Sequence, residues 1–416
     1  MIKQRQVPVI ERRIRPGRIP DSARKEGGRP VRTNRHKCAC APGAHHHLRR
    51  RMVAFIAAVL CLQAGSATPV RAAQYLPACV HIRYTGRIDF RDPARARMSS
   101  AGAYFETAFR GSACTVLLEN QDLYGNHNYL AVVIDDAYRG RIRVGGNARE
   151  YAIAGGLKDT VHTLLVCKAT ESQIGYVDFL GLACDEIVPR PVSRKRKIEF
   201  IGNSITCGMG LDLSGVPCDS GTWFDQHNAY LAYGPRTARA LDADWLLSAV
   251  SGIGVIRNWN SPGPVMPAVY GNLFLNTDST ILWPVDAWAP DMVSICLGTN
   301  DFSDGDGTYE RQPPDSAAFA NAYVRFVLEI RKRYPAAEIC LLTSPMNPGE
   351  KSVRLENFLR SVLQQLRNAY QDAHVRMFVF PESYTSGCDY HPDEAEHRSM
   401  AAELLPFYKN VMSRQP

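Results

Sequence analysis

At 416 residues the chain is long enough for two domains, and its 45% hydrophobic and 22% charged residues are typical of a globular protein. Its formal net charge of +8 comes from the first 51 residues, which hold 15 Lys or Arg against three Asp or Glu. From Ala73 onward there are 33 basic and 38 acidic residues, a net charge of −5, which excludes the basic surface that nucleic-acid binding needs.

The segment 1–72 is predicted to be a basic leader followed by a secretory signal peptide. Three arginines precede an apolar run at 52–62, and Val70-Arg71-Ala72 fits a small-residue cleavage site. Because a signal peptide lies close to the start of its chain, Met52 is the expected true start. The apolar run is too short to span a bilayer comfortably, so we expect secretion, to the extracellular space or the periplasm, without stable membrane insertion.

The segment 75–188 is predicted to be an all-β sandwich domain. Short β-type runs alternate with glycine-containing turns, and no long stretch has helical periodicity. Examples of these runs are 114–118, 129–134, 141–144 and 161–167, with 176–179 after them. The segment 189–197, rich in proline and basic residues, is predicted to be a linker.

Strands and helices alternate over 198–416, which predicts an α/β domain with a parallel sheet covered on both faces. The predicted strands are 198–201, 245–250, 291–297, 338–343 and 375–380. The predicted helices are 230–241, 317–334, 354–371 and 393–412. In such sheets ligands bind beyond the carboxyl ends of the strands, so catalytic motifs are expected directly after them.

The first motif at such a position is Gly202-Asn203-Ser204-Ile205-Thr206. A serine at a strand-to-helix turn is exposed to substrate, and the backbone N–H groups of the helix start favour an anion. Serine is also a favoured helix N-cap, and a capping role for Ser204 fits the pentapeptide equally well. Thr206 stands where the nucleophile elbow of the α/β-hydrolases has a glycine, so the motif is not that elbow.

Two further motifs, Ser251-Gly252-Ile253-Gly254 and Gly298-Thr299-Asn300-Asp301, each follow a predicted strand. A glycine lets its backbone N–H approach a substrate closely, and an Asn side chain can donate to a developing oxyanion. The alternatives are an ordinary tight turn at Gly252 and an Asx turn at Asn300.

The last motif is Cys388-Asp389-Tyr390-His391-Pro392, just before the final predicted helix. His391 is a candidate general base for Ser204, although a single histidine before proline is also typical of an ordinary loop. Ser, Gly, Asn and His in this order, each after a strand, form a combination that the separate structural alternatives do not explain.

Together the four motifs resemble the SGNH (GDSL-type) hydrolases, and the longer phrases resemble the two-domain acetylesterases of carbohydrate esterase family 2. The similarity is carried by 198–208, 251–259, 297–303, 387–392 and Ala395-Glu396-His397. Asn128-Tyr129 and Thr170-Glu171 are similar to that family's jelly-roll domain. The resemblance implies an SGNH-type three-layer domain with a parallel central sheet, preceded by an all-β jelly-roll domain.

The resemblance also implies catalytic roles for the matching residues. Ser204 would be the nucleophile and His391 its acid/base. The oxyanion hole would consist of the backbone N–H groups of Ser204 and Gly252 and the side chain of Asn300.

Three further residues have implied roles in substrate binding. Trp259 and Tyr390 lie where the family is expected to offer aromatic faces to a sugar, with core packing as the alternative. Asp301 would either steady the Asn300 loop or contact the substrate.

One departure concerns the group that orients His391. Many SGNH enzymes have an Asp three residues before the His, and this chain has Cys388 there. Family members with this same spacing resemble a Ser–His dyad, so the resemblance implies that a backbone carbonyl holds the imidazole here, with Asp389 and Glu382 as alternative orienting residues. A carbonyl selects the tautomer that leaves a bare nitrogen facing Ser204.

The function implied by the resemblance is that of a secreted serine esterase, which removes acetyl groups from an O-acetylated plant polysaccharide such as xylan or glucomannan. The reaction would pass through an acetyl-serine and require no metal or cofactor. One alternative is an SGNH lipase or thioesterase acting on acyl chains, which needs an apolar channel near Ser204. The other is a carbohydrate-binding protein with a decayed catalytic site, which is expected to lose Ser204 or His391 first.

The sequence says less about the oligomeric state, the packing of the two domains and the pairing of the cysteines than about the catalytic residues. We expect a monomer in which the β-domain packs against the catalytic domain and shapes one wall of the cleft. Nine cysteines follow the leader, and their spacing does not reveal any pairing. Cys296 lies in an apolar run and is expected to be an ordinary core residue.

Overall fold

The computed structural model describes residues 72–189, 194–284, 288–308 and 310–413. The predicted leader, with Met52 as its expected start, lies outside the described residues apart from Ala72. Four residues of the predicted linker, 190–193, also lie outside them. Within the described part of the chain, no helix combines the length and the apolar composition needed to cross a membrane.

Residues 72–189 fold into two antiparallel sheets that pack face to face. The strands are β1 (Ala73–Tyr75), β2 (Arg83–Thr85), β3 (Ile88–Asp89), β4 (Ala96–Met98), β5 (Tyr104–Arg110), β6 (Cys114–Asp122), β7 (Asn128–Ile134), β8 (Ala137–Val144), β9 (Glu150–Ala154), β10 (Val161–Lys168), β11 (Gly175–Cys184) and β12 (Glu186–Val188). One sheet has the order β3–β4–β11–β6–β9 with β1 beside β11, and the other has the order β12–β5–β10–β7–β8 with β2 beside β5. Their facing sides enclose a core that includes Phe105, Val116, Val166 and Phe179, which confirms the predicted β-sandwich.

Strand β5 is not among the runs named from the sequence, and it lacks the alternation of a half-buried strand. Phe105 and Phe109 face the core of the sandwich, whereas Tyr104 belongs to an apolar cluster shared with the second domain. The neighbouring strands β7 and β10 contribute Ala131 and Leu165 to the same shared cluster. The strands β5, β7 and β10 are therefore buried on both faces, and polar residues do not mark an outer side.

The second domain contains a five-stranded parallel sheet within its described residues. Its strands are β13 (Arg196–Gly202), β14 (Ala243–Ala249), β15 (Met292–Cys296), β16 (Glu338–Leu342) and β17 (Val375–Phe378). Its helices are α1 (Ser204–Cys207), α2 (Tyr233–Ala240), α3 (Met266–Val269), α4 (Ser316–Arg333), α5 (Gly349–Ala369) and α6 (Glu394–Met412). Helices α2 and α6 contribute to the apolar cluster on one face of the sheet, and α4 and α5 to the cluster on the other, which confirms the predicted three-layer arrangement.

Several predicted boundaries differ from the structure, and α5 begins at Gly349, five residues before its predicted start. Strand β13 begins at Arg196, inside the predicted linker, and the preceding Arg194 donates a hydrogen bond to Asp244 at 2.9 Å. The predicted helix 230–241 is interrupted at Ala232, whose extended backbone separates a short 3-10 turn from α2. Pro235 explains the late start of α2, because proline has no N–H and is tolerated in the first turn of a helix but not in its interior.

The strand order β14–β13–β15–β16–β17 places the first strand of the domain between the second and the third. The chain therefore changes direction across the sheet at β13, and the loops after β13, β14 and β15 leave neighbouring strands at the same edge. Such a switch point is the usual ligand site of an open parallel sheet. It brings Ser204, Gly252 and Asn300 to one side of the domain.

The two domains pack closely against each other, as expected from the sequence. The Tyr104 ring of the β-domain lies on the Trp245 ring of β14, with 4.3 Å between their centroids. The Tyr104 hydroxyl donates to Asp244 at 2.7 Å, and the Trp245 indole N–H donates to the Gly102 carbonyl at 3.0 Å. The interface thus combines apolar packing with buried hydrogen bonds.

Candidate active site

Ser204 is the first residue of α1, at the carboxyl end of β13. The preceding Asn203 caps this helix, because its Oδ1 accepts a hydrogen bond from the Ile205 N–H at 3.2 Å. The capping role considered for Ser204 therefore belongs to Asn203. The Ser204 side chain is 7% exposed, and its hydroxyl is directed to another partner.

That partner is His391, whose Nε2 lies 2.7 Å from the Ser204 Oγ. The backbone around His391 is fixed on both sides. Its carbonyl accepts a hydrogen bond from the Gly387 N–H at 2.7 Å, and Asp393, two residues later, is the N-cap of α6 and forms a capping box with Glu396. The structure thus brings together the serine and the histidine that the motifs singled out, although 187 residues separate them.

The other nitrogen of His391, Nδ1, lies 2.9 Å from the backbone carbonyl oxygen of Asp389. Asp389 and Tyr390 have positive φ values of 52° and 57°, and this left-handed pair lies in the turn that directs the Asp389 carbonyl towards the imidazole. The side chains of Asp389 and Glu382, the two alternative orienting residues, are exposed. His391 therefore has the backbone-carbonyl partner that the motif spacing favoured.

Cys388, which occupies the position of the usual orienting Asp, forms a disulfide with Cys218. Its N–H also donates to the carbonyl of Gly210 at 3.0 Å. Gly210 lies just after α1, so the turn that carries His391 is bound to the segment that follows the Ser204 helix. The remaining cysteines of the described residues are not in disulfides, and Cys296 is a buried core residue as expected.

Gly252 and Asn300 lie in the loops after β14 and β15. Gly252 has a φ of 76°, and its backbone conformation is one that side chains disfavour. The Asn300 Nδ2 donates to the carbonyl of Ile253 at 2.8 Å, which ties the two loops together. Because a primary amide carries two N–H bonds, Asn300 keeps a second donor for a substrate oxygen.

Asp301 is completely buried beside these loops. Its carboxylate accepts hydrogen bonds from the backbone N–H groups of Val255, Ile256 and Arg257 at 3.0, 2.8 and 3.2 Å. This burial is inconsistent with the substrate contact considered for Asp301. Its bonds instead steady the loop after β14, to which Asn300 is attached.

Comparisons with known proteins cover both domains. Residues 84–191 match the family model described as carbohydrate esterase 2 N-terminal, and residues 200–398 match that of the GDSL-like lipase/acylhydrolase family. An acetylxylan esterase/glucomannan deacetylase of Cellvibrio japonicus is 30% identical over 338 residues, which are 80% of this chain and 89% of that protein. The chain belongs to carbohydrate esterase family 2.

Two further comparisons support this placement. The cellulase/esterase CelE of Acetivibrio thermocellus is 31% identical over 80% of this chain, but the match spans only 39% of CelE. The solved structure of a family two carbohydrate esterase from Clostridium thermocellum, in complex with cellohexaose, is 31% identical with a TM-score of 0.72. It covers 80% of this chain and 99% of that one.

Two aromatic side chains of this family 2 esterase are exposed near the Ser204 loops. Trp259 is 46% exposed and belongs to the loop after β14, where its backbone N–H donates to the carbonyl of Gly252 at 2.8 Å. Tyr390 is 80% exposed and directly precedes His391. Core packing, the alternative considered for both, does not apply, because neither ring is buried.

We expect the kcat/KM of this esterase to fall on the acidic side with a midpoint below pH 6.5. Burial lowers the pKa of His391 from 6.5, and the hydrogen bond to the Asp389 carbonyl only partly offsets this. His391 accepts a proton only when neutral, and a lowered pKa keeps the imidazole neutral further into acid. Rates with 4-nitrophenyl acetate between about pH 4 and 8 test this. A midpoint at or above pH 6.5 would contradict it.

The motif analysis did not assign a role to one buried residue at this site. Glu171 belongs to the β-domain, between β10 and β11, and its carboxylate accepts a hydrogen bond from the backbone N–H of Ser251 at 2.6 Å. The phrase Thr170-Glu171 contributed to the family resemblance, but a glutamate in a loop has no sequence signal for a contact 80 residues away. Only the packing of the two domains reveals it.

Proposed function

We propose that this family 2 esterase removes acetyl groups from an O-acetylated plant polysaccharide, of the xylan or glucomannan type, through an acetyl-Ser204 intermediate. The observation that carries the proposal is the 2.7 Å contact between Ser204 Oγ and His391 Nε2, with the opposite imidazole nitrogen held by a backbone carbonyl. The Cellvibrio japonicus relatives are acetylxylan esterases/glucomannan deacetylases, which supports the choice of substrate.

The first half of the reaction acylates the serine. His391 Nε2 takes the proton of the Ser204 hydroxyl as Oγ attacks the acetyl carbonyl carbon. The carbonyl oxygen gains negative charge, which the backbone N–H groups of Ser204 and Gly252 and the free N–H of Asn300 would stabilise. The protonated His391 then gives its proton to the sugar oxygen, and the deacetylated sugar leaves.

The second half releases acetate. His391 takes a proton from a water molecule, which attacks the acetyl-Ser204 carbonyl, and the same three donors hold the second oxyanion. Collapse of this intermediate breaks the bond to Ser204 Oγ, which recovers its proton from His391. The Asp389 carbonyl stabilises the imidazolium that forms in both halves.

The specificity of the reaction can be tested on three substrates. We expect acetate release from acetylated xylan or glucomannan and from 4-nitrophenyl acetate, and much slower hydrolysis of a long-chain 4-nitrophenyl ester. Preference for the long-chain ester would instead indicate a lipase or thioesterase. Glycan binding without any hydrolysis would indicate a binding protein whose catalytic site has decayed.

Trp259 and Tyr390 are proposed to provide aromatic surfaces for the sugar. We expect Trp259→Ala to raise the KM for acetylated polymer about tenfold, which corresponds to roughly 1.4 kcal/mol of lost binding, with little effect on kcat for 4-nitrophenyl acetate. Tyr370→Ala is a matched control, because Tyr370 is 53% exposed at the end of α5 and precedes the amino end of β17. Equal KM values for the polymer in both variants would contradict the role of Trp259.

Export of the protein is also a proposal. The basic and apolar composition of the leader supports it, and the disulfide between Cys218 and Cys388 is typical of an oxidising compartment. An extracellular or periplasmic location fits a polymeric plant substrate. Fractionation of the producing cells would test it, and activity confined to the cytoplasm would contradict it.

A further inference from the structure

The side chain of Glu171 extends from the β-domain to the loop after β14, which carries Gly252. Glu171 follows β10, and its side chain is completely buried. Nearby, the ammonium of Lys168 donates to the backbone carbonyls of Thr170 and Glu171 at 2.8 and 3.1 Å. The Lys168 bonds fix the backbone of this loop, so the carboxylate extends from a rigid segment.

The carboxylate makes several hydrogen bonds to the catalytic domain. One oxygen accepts the backbone N–H of Ser251 at 2.6 Å, with the Cys207 thiol 3.7 Å away. The other accepts the hydroxyl of Ser251 and lies 3.2 Å from the His227 Nε2. Burial raises the pKa of Glu171, but the bonds to His227 and Ser251 outweigh this and hold it below its usual value. Glu171 is therefore an ionised acceptor at neutral pH.

Ser251 directly precedes Gly252, whose N–H is the proposed oxyanion donor. The orientation of that N–H depends on the peptide unit that joins the two residues, and glycine itself imposes little restraint on it. Glu171 holds both the backbone N–H and the side chain of Ser251, so it fixes the residue on the amino side of this peptide unit. On the carboxyl side of Gly252, its carbonyl accepts a hydrogen bond from the backbone N–H of Trp259 at 2.8 Å.

We propose that Glu171 is a positioning residue for catalysis, by which the β-domain sets the orientation of the oxyanion donor Gly252. The proposal rests on the proposed esterase function. It makes the β-domain a part of the catalytic machinery, because an oxyanion hole acts only when its donors are held in place before charge develops. Glu171 itself does not touch the reacting atoms.

The test compares full-length Glu171→Gln, Ser251→Ala and the double variant on 4-nitrophenyl acetate. Glu171→Gln removes the negative charge that binds Ser251, the residue before the oxyanion donor Gly252. We expect kcat to fall about 10- to 100-fold, with KM within about twofold of the unaltered enzyme. Ser251→Ala keeps the backbone bond and is expected to lower kcat by about 3- to 10-fold. The double variant is expected to resemble Glu171→Gln, because both changes act through the same residue.

Tyr104→Phe is the matched control, because it removes an interdomain hydrogen bond, to Asp244, that does not involve the Ser251 loop. We expect its kcat to equal that of the unaltered enzyme. The proposal is overturned if folded Glu171→Gln keeps the kcat of the unaltered enzyme, or if this variant changes KM instead of kcat. It is also overturned if the effects of Glu171→Gln and Ser251→Ala on kcat are additive in the double variant. If Glu171→Gln does not fold, an unchanged kcat in Ser251→Ala overturns it. Failure of the unaltered enzyme to hydrolyse any ester would instead refute the proposed function.

Discussion

Ser204→Ala is expected to lower the kcat for acetate release by at least about 10⁴-fold, because it removes the Ser204 Oγ, which forms the acyl-enzyme in the proposed reaction. His391→Ala is expected to have an effect of similar size, since the Ser204 hydroxyl is a weak nucleophile without a base. The double variant is expected to be no slower than either single variant, because the two residues act as a unit.

The measurement is the steady-state rate on 4-nitrophenyl acetate and on acetylated polymer, with a circular dichroism spectrum to verify folding. Ser361→Ala is a matched control, because Ser361 is an exposed serine on α5 and lies outside the site. We expect its kcat to be unchanged. A Ser204→Ala variant that retained more than a few per cent of the activity would remove Ser204 from the mechanism.

The second large effect is expected for stability, at a buried arginine in the domain interface. Arg87 lies between β2 and β3 of the β-domain, with no exposed surface, and its guanidinium donates to the Ser248 hydroxyl of β14 and to the carbonyl of Asn272. It lies 3.8 Å from the carboxylate of Glu199, which is also completely buried. Burial raises the pKa of Glu199, and the charge of Arg87 opposes this rise.

Arg87→Met is expected to lower the free energy of unfolding by about 3–5 kcal/mol, because it leaves a buried carboxylate without its positive partner. Glu199→Gln added to Arg87→Met is expected to restore part of the loss. Arg91→Met is the matched control: the Arg91 side chain is 63% exposed and pairs with Asp89, so we expect its unfolding midpoint to stay close to that of the unaltered protein.

The measurement is denaturant unfolding followed by tryptophan fluorescence. A loss below about 1 kcal/mol for Arg87→Met would show that this buried pair does not stabilise the domain interface. The comparison is informative because both substitutions replace an arginine by methionine, at positions only four residues apart in the β-domain. Only the burial and the partners of the two arginines differ.

The alternation of strands and helices was sufficient to predict the α/β domain, because periodicity reports which faces are buried. The run 198–201 and its counterparts correspond to β13 to β17, and the long helices α4 and α6 lie within one residue of their predicted ends, whereas α5 begins five residues earlier than predicted. Strand β5 lacks this periodic pattern, and it was not recognised from the sequence. Tyr104 is buried by the other domain, and burial by a separate part of the chain leaves no periodic signal.

The reactive groups of the site were also accessible from the sequence, because each follows a strand that ends at the same edge of the sheet. Ser204 and His391 form the predicted contact, and the Asp389 carbonyl is the predicted kind of orienting group. Their catalytic roles, and those of Gly252 and Asn300, stay predictions until the variants are measured. The structure shows that these groups lie close together.

The supporting residues could not be predicted, because their partners are distant in the chain. Glu171 reaches Ser251 across the domain interface, and Cys388 pairs with Cys218 over 170 residues. Asp301 has the role of a loop anchor rather than a substrate ligand because its carboxylate faces three backbone N–H groups. Such contacts depend on how loops are folded, which local residue patterns do not specify.

The acetyl-Ser204 intermediate can be detected by identifying the acylated residue during turnover. The enzyme would be mixed with 4-nitrophenyl acetate, quenched with acid within the first turnovers, digested and analysed by mass spectrometry. We predict one acetyl group on Ser204 in the unaltered enzyme and none at that peptide in Ser204→Ala. An acetyl group on another residue, or full turnover by enzyme that lacks Ser204, would contradict the account.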